Sequence, residues 1–159
     1  MNTTNNNPAP AAHPAPAAPV RILAPLALLA LAGIFLYAGI SKITDPAAFA
    51  HAIELYRVVP RALAVITALY LPWLEIGCAL AILARALRGG ALALLALCNV
   101  VFAIMLASAL ARGLDISCGC FGAGGATGPA ALLASLARAA LLAITCAWLL
   151  LRHAMNARQ

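Results

Sequence analysis

Four apolar stretches, each close to twenty residues long and separated by short polar segments, constrain this chain more than any other feature. They cover residues 22–40, 62–84, 90–111 and 130–151. A helix rises about 1.5 Å per residue, so about twenty residues cross the roughly 30 Å of hydrocarbon in a bilayer. Backbone groups facing lipid must be satisfied within their own segment, which selects helices. Composition agrees: 65% of the 159 residues are hydrophobic and 9% are charged, against about half and about a quarter in a soluble domain. The expected fold is all-α, a four-transmembrane-helix bundle. Pro25 is expected in the first turn of its helix, and Pro72 falls in mid-span, where a kink is expected.

Three units follow. Residues 1–20 form a Pro/Ala-rich tail without an acidic or basic side chain other than His13, and are expected to be disordered. Nothing at the extreme N-terminus resembles the short basic region of a signal peptide. Residues 21–152 form the four-span membrane domain, and residues 153–159 a C-terminal tail. The formal net charge of +6 fits the excess of Lys and Arg on the cytoplasmic side of membrane proteins. No basic run with interleaved aromatics points to nucleic acid. Arg21, Arg85, Arg88, Arg152 and Arg158 lie on one side of the bundle. Lys42, Arg57, Arg61 and Arg112 lie on the other, diluted by Asp45, Glu54 and Asp115. The short loop holding Arg85 and Arg88 decides the orientation: both termini are expected in the cytoplasm, with the connection between the third and fourth spans outside.

Between the first two spans, TDPAAFAHAIELYRVVP carries a helix-start signal, Asp45 or Thr44 as cap followed by Pro46. Phe49, Ile53 and Tyr56 recur at helical spacing, with His51, Glu54 and Arg57 on another face. This predicts a short amphipathic helix in the outer interface, ending near Pro60.

Of the five cysteines, Cys78, Cys98 and Cys146 fall inside spans, where a thiol acts as a small hydrophobe. Cys118 and Cys120 are placed differently. They flank Gly119 in the outer connection, in LDISCGCFGAGG, where an oxidising compartment is expected. Cysteines two apart reach the disulfide Cα separation of about 4.4–6.8 Å only through a bent backbone, which Gly119 permits. Such a minimal ring adds little as a staple, and strained, exposed disulfides tend to be the exchanging ones. A soft-metal site is the competing reading, although two thiolates without a nearby His or Met rarely complete one. A pair of unreacting loop thiols is the third. Phe121 is expected to anchor the loop on the bundle.

Glu75, near the middle of the second span, and Arg138, about two turns into the fourth, are ionisable residues inside the membrane. Each costs at least about 2.5–3.5 kcal/mol to insert, so each is expected to face the bundle and have a partner. A Glu75–Arg138 pair is one reading. A polar cavity for a quinone or a proton path is the other.

The segments FLYAGISKITDPAAFAHAIELYRVVP, LPWLEIGCAL and ARGLDISCGCFG together resemble the methylamine-utilisation protein MauE family, within the wider DoxX-like group of four-helix membrane proteins. The resemblance runs from about Arg21 to about Leu151, with CGCFG as its most specific element. Gly39, Lys42, Tyr56, Pro60, Pro72, Glu75 and Arg138 follow in order, although Ala139 stands where the family often has Asn. The resemblance implies a bacterial inner-membrane protein supporting maturation, export or disulfide formation of an exported client, in the family the methylamine dehydrogenase small subunit. It implies a thioredoxin-like partner of the MauD type. It makes Cys118 and Cys120 the redox pair, with Gly119, Phe121 and Gly122 shaping the loop. By analogy with other membrane disulfide carriers, a quinone in the bundle is the expected electron acceptor. A non-enzymatic scaffold or export accessory and a soft-metal carrier are the alternatives.

Overall fold

A computed structural model describes residues 18–114, 116 and 128–157. Among these residues the chain forms five helices and no strand. They are α1 (Ala18–Ile43), α2 (Pro46–Leu55), α3 (Arg61–Ala81), α4 (Arg88–Ala111) and α5 (Pro129–Ala157). All except α2 are long and apolar enough to cross a membrane, which establishes the expected four-span, all-helical architecture with a short helix after the first span. The helices overrun the apolar stretches at several ends. Because α1 starts at Ala18, Pro25 lies in its third turn rather than its first, and α5 continues to Ala157.

Helix α2 forms where its start signal places it. Asp45 Oδ1 accepts a hydrogen bond from the Ala48 amide at 2.9 Å, and Pro46 fills the first helical position, where a missing N–H costs nothing. At the other end Arg57 takes a left-handed conformation, φ 51°, and its amide donates to the Glu54 carbonyl at 2.9 Å. That conformation is usual just past a helix end, though most often held by Gly.

The position of α2 is more intimate than that of a helix resting on an interface. Phe49, Ala50 and Ile53 pack on Ala64 and Ala68 of α3, two small residues one turn apart that let the helices approach closely. Arg61 Nε lies 3.5 Å from Glu54 Oε1 at the far end of this contact. At its near end, α1 meets α3 at Gly39, where an added Cβ would lie 2.9 Å from the Pro72 carbonyl oxygen and 2.7 Å from Ile76 Cγ1. Together α1 and α2 therefore run antiparallel to α3 along its length, as one helix interrupted at Thr44 and Asp45.

The bundle is closed at the turn joining α3 to α4. There Leu31 and Phe35 of α1, Ala79 and Ile82 of α3, Leu92 and Leu95 of α4, and Cys146 and Leu149 of α5 form a single core. Arg88 fastens the turn: Nε donates to the Ile82 carbonyl at 2.8 Å and Nη2 to the Leu83 carbonyl at 3.2 Å. Toward the opposite end the core divides. One cluster joins α2 to α3. The other joins Leu106 and Ala109 of α4 to Leu132 and Ala139 of α5, with Tyr56, 2% exposed, crossing over to fill it. Accordingly α1 packs chiefly on α3 and α4 chiefly on α5, and a cavity lies between these two halves.

Candidate functional site

The cavity has a volume of about 340 Å³ and is lined by residues from all five helices. Its walls are mostly aliphatic and aromatic, among them Phe35, Phe49, Leu71, Phe102 and Met105. Against this background stand Lys42, Glu75, Asn99, Ser135 and Arg138, which also line it.

Lys42 and Glu75 form the ion pair at its centre. Lys42 Nζ donates to both carboxylate oxygens of Glu75, at 2.7 and 2.6 Å, with the two side chains 7% and 11% exposed. Phe49 of α2 completes the surroundings of the ammonium, its ring centroid 5.4 Å from Nζ, a distance at which the ring face attracts a cation. This geometry follows from the break in the first span. Glu75 lies fourteen residues into α3, about 21 Å from its start. Lys42 sits one residue before the end of α1, and the two share a level because α2, not α1, covers the first half of α3. The Gly39 contact with Pro72 and Ile76 sets that stagger.

The expected pairing is thereby corrected. Glu75 makes its ion pair with Lys42 of the first span rather than with Arg138. Arg138 lines the same cavity from α5, and its Nη2 donates to Ser135 Oγ at 3.3 Å. Glu75 and Arg138 do line one cavity, whose walls are mainly apolar. Reading the spans one by one missed three members. Lys42 looked like a flanking cation because it closes an apolar run. Asn99, a lone carboxamide within LALCNVVFAI, carried a signal of its own, since a polar side chain in mid-span must face the bundle. Ser135 carried none.

Asn99 and Ser135 are each 6% exposed. Asn99 Nδ2 donates to the Leu95 carbonyl at 2.8 Å, and Ser135 Oγ donates to the Ala131 carbonyl at 2.9 Å. Each of these bonds stays within its own helix. Cys98 also lines the cavity, whereas Cys146 is fully enclosed in the core.

Cys118, Gly119, Cys120, Phe121 and Gly122, the residues expected to carry thiol chemistry, lie outside the described residues. Arg112, which precedes that connection, is anchored. Its Nη2 donates to the Tyr56 carbonyl at 2.7 Å and its Nε to the Ser108 carbonyl at 3.0 Å. These bonds tie the end of α4 to the elbow between α2 and α3.

A comparison with protein families matches the model for methylamine utilisation protein MauE over residues 20–152. Comparisons with curated proteins and with solved structures return no match. The match takes in all four spans, the buried ion pair and the Cys-Gly-Cys connection, and with it the chain belongs to the MauE family of methylamine-utilisation membrane proteins.

Proposed function

We propose that this protein is a membrane thiol–disulfide relay that supports maturation of an exported protein. Cys118 and Cys120 form and break a disulfide, exchanging it with a thioredoxin-like partner of the MauD type, and through that partner with the client's cysteines. Gly119, Phe121 and Gly122 give the loop its bend. The protein sits in the bacterial inner membrane with both termini in the cytoplasm and the Cys-Gly-Cys loop in the periplasm. A lipid-soluble quinone takes the electrons.

The observation that carries this reading is the family match, which runs unbroken across the Cys-Gly-Cys-Phe-Gly segment. Chemistry supports it: two thiols one glycine apart close a ring too small to add much stability, so their value lies in exchange.

Differential alkylation in intact cells tests it. A membrane-impermeant maleimide is applied before and after mild reduction, with mass readout at Cys118 and Cys120. Label appearing only after reduction is the expected outcome. Label on both thiols without reduction means a reduced pair, and the relay as an oxidant is lost. No label under either condition contradicts the outward-facing loop. Replacing both cysteines with Ser separates the relay from a scaffold: the relay loses client disulfide formation, while a scaffold keeps it.

A further inference from the structure

Among the described residues, four polar or charged side chains are buried: Lys42, Glu75, Asn99 and Ser135. All four line the one cavity between the helix pairs. In a bilayer, polar groups at depth are costly and are kept where they pair or where they act. Lys42 gives two of its three N–H donors to Glu75. Asn99 donates to the Leu95 carbonyl, and Ser135 donates to the Ala131 carbonyl and accepts from Arg138 Nη2. All three bonds stay within one helix, so they do nothing to hold α4 against α5 or either against α1 and α3. Lining the cavity, they are placed to face a ligand in it.

The route in is lateral. Thr67 of α3 and Leu97 and Val101 of α4 line the cavity and are exposed on the flank of the bundle, where lipid would lie. A ligand arriving there comes from the membrane. It needs an apolar body for the aromatic and aliphatic walls. It also needs hydrogen-bond acceptors facing donors on opposite sides, Lys42 on α1 against Asn99 and Arg138 on α4 and α5. A volume of about 340 Å³ is at the lower end of the usual small-molecule range, about 300–1,000 Å³. That suits a single substituted ring.

We propose that this cavity holds the head group of a lipid-soluble p-quinone. Its two carbonyls are set between Lys42 and the Asn99–Ser135–Arg138 wall, and its tail leaves between α3 and α4. The proposal rests on the relay reading for its redox role. The stoichiometry closes: one dithiol loses two electrons and two protons to become a disulfide, and one quinone gains both pairs to become a quinol.

The test uses full-length protein in phosphatidylcholine nanodiscs titrated with decylubiquinone, followed by calorimetry. Asn99→Leu and Ser135→Ala break no hydrogen bond between helices, so both variants are expected to fold, with thermal unfolding as the check. Asn99→Leu is expected to weaken binding about fivefold to tenfold, the effect of one hydrogen bond. The Ser135 hydroxyl donates to the Ala131 carbonyl and accepts from Arg138 Nη2, so Ser135→Ala acts through the placement of Arg138 and is expected to weaken binding less. Ala139→Phe, which adds bulk at a residue shared by the cavity wall and the α4–α5 core, should abolish binding, counted only where thermal unfolding shows the bundle intact. Cys118→Ser/Cys120→Ser should bind as the wild type does. Unchanged affinity in all three cavity variants, or no saturable binding to the wild type, overturns the site. Displacement of the probe by oleate at lower concentration assigns the cavity to an anionic lipid and overturns it too. Quinol formation by the pre-reduced protein is read separately. Binding confined to the cavity with no oxidation of the thiols sinks the relay and leaves the site standing. Equal oxidation in Ala139→Phe sinks the site and leaves the relay standing.

Discussion

At the scale of single residues, the arrangement turns on one buried ion pair. Lys42 spends two hydrogen bonds on the two oxygens of Glu75, and each residue removes the other's reason to avoid the interior. Taking away one partner leaves a buried charge without its counterion, a change worth about 3–5 kcal/mol, whereas replacing both with apolar groups of similar volume is often neutral. Lys42→Met is therefore expected to lower the thermal unfolding midpoint in detergent sharply, and Lys42→Met with Glu75→Met to recover most of the loss. A double variant as unstable as the single one would show that Lys42 is needed for packing against Phe49 rather than for charge. Sequence made Glu75 legible as an inward-facing group, because a carboxylate in mid-span admits few other roles. Its partner was not legible. Counting residues from the ends of the spans places Lys42 at a boundary and Arg138 about two turns deep, which favours the wrong cation.

The reason for that error belongs to the scale of elements. Counting assumes that each apolar run crosses the bundle independently and starts level with its neighbours. Here α1 stops where α3 is only half covered, and α2 supplies the rest. The start of α2 was readable from Asp45 and Pro46, since capping is local chemistry. Its docking was not, because an apolar stripe of Phe49, Ile53 and Tyr56 fits a lipid surface as well as it fits α3. What fixes the stagger is a close approach between backbones at Gly39, with the Pro72 carbonyl and Ile76 on the facing helix. Gly39→Ala places a methyl group 2.9 Å from that carbonyl, so the helices must separate, at a cost of about 1–3 kcal/mol. Gly77→Ala, whose added methyl meets nothing within 4 Å, serves as the control and should hold or raise stability, since Ala is the better helix former. The decisive readout is the difference between the two unfolding midpoints. Equal values would mean that α1 and α3 slide freely past Gly39.

On the scale of the whole bundle, the described helices form two halves, α1–α2–α3 and α4–α5, joined at the α3–α4 turn and again through Tyr56 and Arg112 at the opposite end, with a cavity between. Such a layout gives three cysteines with similar sequence surroundings different exposures, two in one core and one on the cavity. Each of Cys78, Cys98 and Cys146 reads as an inert thiol in an apolar span, and only the assembled bundle distinguishes them. Cys146 and Cys78 belong to the same core, Cys146 0% and Cys78 8% exposed. Cys98 lines the cavity that opens at Thr67 and Val101. A small membrane-permeant maleimide is therefore expected to modify Cys98 first and Cys146 last. The protein should be folded and carry Ser at positions 118 and 120, so that only these three thiols report. Thr67→Trp, a bulky group at the lateral opening, should slow Cys98 while leaving the other two rates unchanged. The comparison separates an open cavity from simple breathing of the bundle. Breathing exposes all three thiols together, and a tryptophan on the flank of α3 would then make no difference among them.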